Sequence, residues 1–522
     1  MKKEEESLQS STKSTMVVSS MTMISRLLGF VRVAVISAIF GAGQVADVIN
    51  LTFNIPNNLR KLLAEGALSS AFIPVLSESI VKDETGNESR KIVRSIMAFQ
   101  LIILIPLCIL AILFAKPLIN IFLAEFTEVW QVNLSVNLFR WFINYLILIS
   151  ISAVLMGVIN SHHRFFIPSI TPVLFSVFVI SSILIFSPLI GPYAMVLGVL
   201  LGGVAQILFQ TPSYLRLGYD YRLNFHFSDP VFKRILKQWL PVVASSSVFT
   251  ITQVVAYRFS SGLEEGSTSA LSNAIVFWQL PMGIFSASIT TVLFPKMSRQ
   301  SALDDFDGLR ESIQYGVRFL LVFLIPSAVF LILFGEHTIE LALQRGEFTA
   351  ENTNMTAHVL ITYSLGLFSV GLFNFLQRFF YSFKNYRIPF YVSLFTGCFD
   401  IILSLILKET SLRVSGLAAA NTIAFSTGAL LFFILMLKKL KKVEWAKIII
   451  TLGKVLLSSS IGFVVLYFFK ELSYQSWSAF SFWFKLLIYT GGTLIYCLTV
   501  LFLYKVFKIE MLDFLLKRGK RK

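Results

Sequence analysis

Long apolar stretches separated by short polar connections follow one another along almost the whole chain. Fourteen of them are long enough to cross the ~30 Å hydrocarbon core of a bilayer as helices, which rise ~1.5 Å per residue. None alternates polar and apolar residues as the strands of a transmembrane barrel do. The pattern therefore predicts an all-α polytopic membrane protein with helices at 16–41, 45–64, 95–123, 131–160, 165–188, 191–215, 238–262, 267–295, 312–335, 355–383, 389–407, 414–437, 447–470 and 479–506.

An internal repeat groups the first twelve predicted helices into two sets of six. Residues 101–123 match residues 321–343 without a gap, and Pro106 and Pro326 are among the matched positions. Because six is an even number, both copies enter the membrane in the same direction and should be related by an axis along the membrane normal. We therefore expect two six-helix lobes, at 1–220 and 221–440, followed by two extra helices and a basic cytoplasmic tail at 441–522.

Composition and charge agree with a membrane protein. Of the 522 residues, 55% are hydrophobic and 14% are charged, whereas soluble proteins carry ~25% charged residues. By the positive-inside rule both termini are cytoplasmic, because the connections on the opposite side contain few basic residues, namely Lys116, Arg345, Lys408, Arg413 and Lys470. The net charge of +16 therefore indicates contact with membrane lipids and not with nucleic acid.

The chain lacks the motifs of several other function classes. The three Cys residues lie in apolar stretches, where they do not indicate a disulfide framework, and the five His residues do not have the spacing of a zinc site. No phosphate-binding Gly-x-x-x-x-Gly-Lys-Ser/Thr loop is present. A membrane-embedded transferase would need a cluster of carboxylates or of carboxylate and His, which is not visible. We therefore expect a transporter that is not an enzyme and has no organic cofactor.

Charges inside the predicted helices indicate the ligand. A central Arg costs ~2.5–3.5 kcal/mol on membrane-insertion scales, and Arg26, Arg32 and Arg60 lie too deep in the first two helices to reach water easily. We therefore expect them to face a shared polar cavity. A guanidinium binds phosphate through two parallel hydrogen bonds and keeps its proton when partly desolvated. The predicted ligand is accordingly an anion that carries phosphate.

Other charges in the predicted helices have a structural explanation as well as a functional one. Arg318 and Lys485 can extend their methylene stems toward an interface, and Glu65 can pair with the lysine four residues before it. Glu264 and Glu265 can cap an outer turn. The anion hypothesis therefore depends on the three deep arginines.

Several sequence blocks resemble the MurJ (MviN) family of lipid II flippases, and the resemblance covers all fourteen predicted helices. The blocks are Ser25–Arg32 (SRLLGFVR), Phe40–Gly43 with Ala46–Asp47, Ile55–Ala67 (IPNNLRKLLAEGA), Phe72–Leu76, Leu280–Phe285, Leu293–Pro295 and Gln344–Ala350. The resemblance implies the two-lobed, fourteen-helix fold of the MOP transporter superfamily. It also implies that the undecaprenyl-diphosphate-linked peptidoglycan precursor is moved from the inner to the outer leaflet of the bacterial cytoplasmic membrane, by a chain that we expect to act as a monomer.

The resemblance implies roles for individual residues. Arg26, Arg32 and Arg60 match the essential arginines that the family has in helices 1 and 2, which agrees with the anion hypothesis. Asp47 matches the acidic position of helix 2. Together with Glu65 and Gln279, it is expected to line or gate the cavity.

One departure from the family pattern concerns helix 8. The family usually has an Arg there, shortly before the Pro of the Leu-Pro motif, whereas residues 273–281 (NAIVFWQLP) carry no charge. Either the site is built differently, or Arg258 on the preceding helix supplies the cation. We take the second alternative as a hypothesis to test.

The resemblance also implies a sodium site in the second lobe with a carboxylate from helix 11. Asp400 is the candidate there, with Asn421 or Thr422 from helix 12. Carboxylate, amide and hydroxyl oxygens suit a hard cation. A hydrogen-bonded polar contact between the two helices would use the same residues, so both interpretations stay open.

The expected mechanism is alternating access driven by the membrane potential or by an ion gradient. One charge moved through 100 mV is worth ~2.3 kcal/mol, enough to help a diphosphate outward. The C55 tail should stay in lipid, in a groove formed by helices 13 and 14, because removing it from an apolar environment costs ~0.8 kcal/mol per CH₂. One alternative is a flippase for another polyprenyl-diphosphate-linked oligosaccharide. The other is a multidrug exporter of the same superfamily, which would need buried carboxylates as counter-charges for organic cations.

Overall fold

The computed structural model describes residues 21, 24–25, 27–60, 66–83, 85–162, 164–383, 385–440, 444–474 and 477–509. Two residues of the predicted site, Arg26 and Glu65, lie outside these ranges. Every regular element among the described residues is a helix, so the predicted all-α class is confirmed.

The helices are numbered here in chain order. They are α1 Leu27–Phe40, α2 Gln44–Arg60, α3 Gly66–Lys82, α4 Asn87–Leu113, α5 Val129–Phe142, α6 Tyr145–Ser161, α7 Phe166–Ile190, α8 Tyr193–Arg216, α9 Pro230–Ser261, α10 Ser267–Pro281, α11 Ala287–Ala302, α12 Phe306–Leu343, α13 Ala350–Leu365, α14 Leu367–Ser382, α15 Arg387–Leu407, α16 Arg413–Leu440, α17 Trp445–Tyr474 and α18 Phe482–Val506. Short helical turns at Ala115–Pro117, Leu118–Leu123, Met282–Ser286 and Trp477–Ala479 complete the described elements.

Most of the predicted helices are apolar enough to cross a membrane. In the described part of the chain ten segments meet this condition, and the pair α13 and α14, bent by 49°, makes eleven if it is one span. These eleven correspond to predicted helices 3–6 and 8–14. The other three predicted helices correspond to α1, α2 and α9, which carry Arg32, Arg60 and Arg258. Helices α1 and α2 adjoin residues that the structure does not describe, and their described parts are shorter than a full span.

The described residues form two compact units. Unit 1 lies within Met1–Thr268 and also contains Arg345–Phe348, and unit 2 lies within Ser269–Gln344 and Thr349–Lys522. Helix α9, which the repeat assigns to the second lobe, thus packs in unit 1. The symmetric relationship of two six-helix lobes stays a prediction.

Close helix packing in unit 1 depends on small residues. Gly198 and Gly202, one turn apart on α8, lie against α7, where an added Cβ would come within 2.8 Å of Val179 and 2.9 Å of Phe175. Val179 and Phe175 are themselves buried in the core of the unit. Such small residues at four-residue spacing let membrane helices approach closely.

In unit 2 the long helix α12 packs against α17 and α18. Pro326 interrupts the backbone hydrogen bonds of α12, since it has no N–H to offer the carbonyl of Val322, four residues earlier. The hydroxyl of Tyr504 donates to that carbonyl at 2.7 Å, and the hydroxyl of Tyr496 donates to the carbonyl of Pro326 at 2.8 Å. Helix α18 therefore supplies hydrogen bonds at the proline of α12 and is held in place by them.

Candidate functional site

The predicted phosphate-binding arginines on α1 and α2 are half-buried in unit 1. The guanidinium of Arg32 lies 5.2 Å from the centre of the Phe175 ring, at cation–π distance. None of the carboxylates in the described ranges forms an ion pair with it. The positive charge of Arg60 acts on it unfavourably. Arg32 is therefore a cation in a partly apolar environment with a second cation nearby, and a bound anion would stabilise both.

Arg60 stands in the last turn of α2. Its Nε donates to Oδ1 of Asn57, one turn earlier, at 3.1 Å. This bond orients the side chain at the end of the helix. A cation in this position is also stabilised by the partial negative charge of a helix C-terminus.

The opposite end of α2 is held by carboxylates. Asp47, in the first turn, is 4% exposed and accepts a hydrogen bond from the backbone N–H of Gly266 at 2.8 Å. Glu265 in turn accepts from the N–H of Gln44 at 3.1 Å. Two carboxylates thus bind backbone N–H groups where the α1–α2 and α9–α10 connections meet, and both stand at the positive end of α2.

The same end of unit 1 contains an ion pair. The Nε of Arg258, in the last turn of α9, lies 3.2 Å from Oε1 of Glu125, and both side chains are more than a quarter exposed. The N–H of Glu125 donates to the hydroxyl of Ser261 at 2.8 Å. Arg258, the hypothetical substitute for the missing arginine of helix 8, therefore has Glu125 as a carboxylate partner in this structure.

A short segment of chain completes this end of the unit. The N–H of Glu347 donates to the carbonyl of Ala38 at 3.0 Å, and Phe348 is 1% exposed. Gly346 and Gly41 both have positive φ, and a Cβ on Gly41 would lie 2.7 Å from the carbonyl of Glu347. Contacts this close require glycine at both positions. We call the whole set the end network: Asp47, Glu125, Arg258, Glu265, Gly266 and Arg345–Phe348.

Sequence reasoning found part of the end network. It selected Asp47 and Arg258, and it explained Glu265 as a cap, which agrees with the hydrogen bond to Gln44. It missed Glu125. In the sequence, Glu125 is recognisable only as an acidic residue in a connection between two apolar stretches, and such residues are common in membrane proteins. The network joins residues more than two hundred positions apart, so only the folded chain shows it.

The other predicted polar residues lie in unit 2. Gln279 is exposed on α10. Asp400 is 5% exposed and accepts a hydrogen bond from Nδ2 of Asn421 at 3.0 Å, but Thr422 donates to the carbonyl of Thr362. Ser404 also bonds to Asp400. The structure thus brings Asp400, Asn421 and Ser404 together and directs Thr422 elsewhere. The three oxygen-bearing side chains fit a hard monovalent cation and equally fit a polar contact between helices.

Unit 2 also has an apolar groove of about 410 Å³, within the ~300–1,000 Å³ of ligand pockets in general. It is lined by α10, α12 and α18, and it runs from the level of Val322 and Tyr504 to the level of Thr338 and Tyr489. None of the lining residues that the structure describes comes from α17. This groove is therefore distinct from the one expected between helices 13 and 14, which stays a prediction.

Comparison with known proteins gives one consistent result. The family profile described as "Lipid II flippase MurJ" matches residues 36–488. A probable lipid II flippase MurJ of Borreliella burgdorferi is 33% identical over 500 residues, which cover 96% of this chain and 97% of that protein. One from Buchnera aphidicola subsp. Acyrthosiphon pisum is 31% identical over 96% of this chain and 98% of that protein.

Solved structures agree at the level of the fold. A lipid II flippase MurJ in an inward closed conformation superposes with a TM-score of 0.76 and 27% identity, covering 94% of this chain and 99% of that one. An inward-facing multidrug resistance MATE transporter of the MOP superfamily superposes with a TM-score of 0.68 at 16% identity, covering 82% and 98%. The second likeness concerns the fold alone.

Proposed function

Because this chain belongs to the MurJ family of lipid II flippases, we infer that it moves lipid II, the lipid-linked peptidoglycan precursor, from the inner to the outer leaflet by alternating access. The observation that carries this inference is Arg32. Its guanidinium is partly buried against Phe175, has Arg60 as an electrostatic neighbour, and has no ion-pair partner among the carboxylates that the structure describes. A diphosphate is the ligand that such a pair of cations would stabilise.

In this proposal Arg32 and Arg60 hold the diphosphate, together with Arg26, whose surroundings lie outside the described residues. A guanidinium can bind phosphate oxygens in a bidentate way and stays protonated in a partly apolar site. The undecaprenyl tail remains in the bilayer, because its transfer to a polar site would cost ~0.8 kcal/mol per CH₂. Only the headgroup then has to pass through the protein.

The end network is the proposed outer gate. If both termini are cytoplasmic, as the distribution of Lys and Arg predicts, the contacts of Asp47 with Gly266 and of Glu125 with Arg258 lie on the outer side. Outward opening would then break these contacts and expose Arg258, which could bind the departing phosphate in place of Glu125. Glu65 and Gln279 remain candidates for the polar lining of the cavity.

Coupling to an ion is proposed at Asp400. The carboxylate with Asn421 and Ser404 offers oxygen ligands for sodium, and Thr422 would have to leave the carbonyl of Thr362 to join them. Binding there would change the charge of a buried site during the cycle. The membrane potential is the alternative driving force, at ~2.3 kcal/mol per charge and 100 mV.

The remaining parts of the proposal concern location and state. The chain is a multi-pass membrane protein, and we place it in the bacterial cytoplasmic membrane with both termini in the cytoplasm. We propose that it works as a monomer with membrane lipids as its surroundings and catalyses no chemical reaction. Substrate analysis after depletion would separate lipid II from another polyprenyl-diphosphate-linked oligosaccharide.

The decisive experiment replaces the native flippase by variants in a conditional depletion strain and measures the leaflet in which labelled lipid II accumulates. Arg32→Ala should reduce export tenfold or more, because a hydrogen bond to a charged group is worth ~1.5–3 kcal/mol and 1.4 kcal/mol is tenfold. Arg32→Lys should retain part of the activity. Arg216→Ala, at an exposed arginine at the end of α8, is the matched control. Equal export by the Ala variants at positions 32 and 216 would refute the proposed site.

A further inference from the structure

Unit 2 carries a second set of cations that the proposed transport site does not use. These cations are Arg318 on α12, Lys454 on α17, and Lys505 and Lys508 at the end of α18. Arg318 directly precedes the apolar stretch 319–326, Lys454 stands early in the long apolar helix α17, and α18 ends at the two lysines. We call these four residues the basic rim.

Contacts between the helices place the basic rim at one end of unit 2. The Nε of Arg318 donates to the hydroxyl of Thr451 at 2.9 Å, and Lys454 follows Thr451 by three residues, on the same side of α17. The hydroxyl of Tyr504 donates to the carbonyl of Val322, one turn beyond Arg318. Helices α12, α17 and α18 therefore place their cations at a similar position along the helix axes, at one end of unit 2.

The backbone at the end of α18 supports this placement. The N–H of Ile509 donates to the carbonyl of Tyr504 at 2.9 Å, and the side chain of Ile509 is 4% exposed in the same cluster as Val455 and Val322. Lys508 has a φ of 49°, a left-handed conformation that favours glycine. The chain thus carries a lysine where glycine would be less strained, which is consistent with a use for its charge.

Within the described ranges, the lysines of the basic rim have no acidic partner. The ammonium groups of Lys454, Lys505 and Lys508 form no ion pair with a carboxylate in the part of the chain that the structure describes. Three positive charges at the edge of an apolar region, not paired by any of these described carboxylates, attract an anion.

The basic rim is continuous with the apolar groove. Val322 and Tyr504, which join α12 to α18 beside Arg318 and Lys505, also line one end of that groove. A ligand seated there would have its charged group at the rim and an apolar chain between α10, α12 and α18. This is the chemistry of a lipid with an anionic headgroup.

We propose that the groove and the basic rim bind a resident anionic phospholipid, with its phosphate at Arg318, Lys454, Lys505 and Lys508 and an acyl chain in the groove. Two arguments favour a phospholipid over the transport substrate. The proposed function assigns the substrate diphosphate to Arg32 and Arg60 of unit 1, and the choice of a phospholipid for this groove rests on that assignment. Phospholipid is also in large excess at any lipid-facing site, so mass action favours it.

The test uses the full-length protein in nanodiscs of pure phosphatidylcholine, or of phosphatidylcholine and phosphatidylglycerol in equal parts. Phosphatidylglycerol should raise the unfolding temperature of the wild type. The triple variant Lys454→Gln, Lys505→Gln, Lys508→Gln should lose at least half of that shift, whereas Lys233→Gln, at an exposed lysine of unit 1, should keep it. Mass spectrometry of the purified chain should find less co-purified phosphatidylglycerol on the triple variant.

Two further variants keep the test decisive if the triple variant does not fold. Lys508→Gly removes a charge and the left-handed strain together, so it should be more stable in phosphatidylcholine and yet respond less to phosphatidylglycerol. Leu501→Trp places a bulky ring in the groove and should weaken the response without changing any charge. A structural role of the lysines alone would not produce either pattern.

Three outcomes would overturn the proposal. The wild type could respond equally to the two lipid mixtures, or the control at Lys233 could lose as much of the shift as the triple variant. Undecaprenyl phosphate added to phosphatidylcholine nanodiscs could also give the larger shift, dependent on the same lysines, which would make the substrate the occupant. These binding results are independent of lipid II export in cells, so failure here and failure of the transport site at Arg32 can be told apart.

Discussion

The second helix of each predicted six-helix repeat is α2 in unit 1 and α10 in unit 2, and the two helices differ in the charges they carry. Both helices contain a proline, Pro56 and Pro281. Helix α2 has Asp47 in its first turn and Arg60 in its last, whereas the first and last turns of α10 carry no charge. The repeat thus predicts the architecture, and the charges predict where an anion would bind.

The largest effect should come from removing the charge of α2 and comparing it with a change in α10. Arg60→Ala should reduce lipid II export tenfold or more, because it removes one of the two cations proposed to hold the diphosphate. Gln279→Ala should reduce export less, about fivefold at most, because a neutral side chain that lines the cavity loses only a hydrogen bond worth ~1 kcal/mol. Export is measured in the depletion strain, and similar losses at both positions would remove the distinction between the helices.

A smaller effect is expected at the N-terminal end of α2, and it concerns the opening of the proposed gate. Asp47→Asn keeps an oxygen acceptor for the N–H of Gly266 but removes its charge, at a cost of about 1 kcal/mol, the difference between charged and neutral hydrogen bonds. The gate should open more readily, by about fivefold. The rate at which a thiol reagent labels a cysteine introduced at Ala46, which is buried, measures this opening. Asn50→Asp, which adds a charge one turn away, is the comparison variant. No change in labelling would argue against a gate at this position.

The ion pair of Glu125 and Arg258 allows the two roles of Arg258 to be separated. Because both side chains are more than a quarter exposed, the pair should be worth at most ~1 kcal/mol. A double-mutant cycle with Glu125→Gln and Arg258→Gln measures this coupling in the unfolding temperature. If Arg258 also binds phosphate, its variant should lose about threefold more export than the Glu125 variant. Equal losses would leave the arginine with a structural role only.

The smallest effect concerns the connection before α9, which lies outside the apolar helices. The hydrogen bond from Arg94 lowers the pKa of Asp220, and the hydrogen bond from Lys91 lowers the pKa of Asp229. A lowered pKa in the folded state stabilises the protein above the unfolded value of ~3.9. This contribution is lost as the pH falls through the folded pKa.

The corresponding measurement compares Asp220→Asn with the wild type from pH 7 to pH 3. The variant should unfold at a slightly lower temperature at pH 7, and the difference should shrink below the unfolded pKa of ~3.9. Solvent screens this half-exposed pair, so the shift should be small. A difference that does not depend on pH would show that the charge of Asp220 is not the cause.

The sequence predicted the helices well because apolar length decides whether a segment can cross a membrane. It also selected Asp47, Arg32 and Arg60, since a charge within an apolar helix is costly and therefore visible. It could not predict that Asp47 meets Gly266, or that Arg258 meets Glu125, because these contacts join connections far apart in the chain. The groove of unit 2 shows the same limit, since its walls come from α10, α12 and α18, which are far apart in the chain.

The contact between Gly346 and Ala38 leaves no room for a side chain at position 346. A Cβ at position 346 would overlap the carbonyl oxygen of Ala38, and the left-handed backbone there adds a second obstacle to every other residue. A single methyl group would therefore act as a wedge at the end of α1 and keep the segment Arg345–Phe348 from seating. If the end network is the outer gate, as we propose, Gly346→Ala would therefore favour the open state of the transporter.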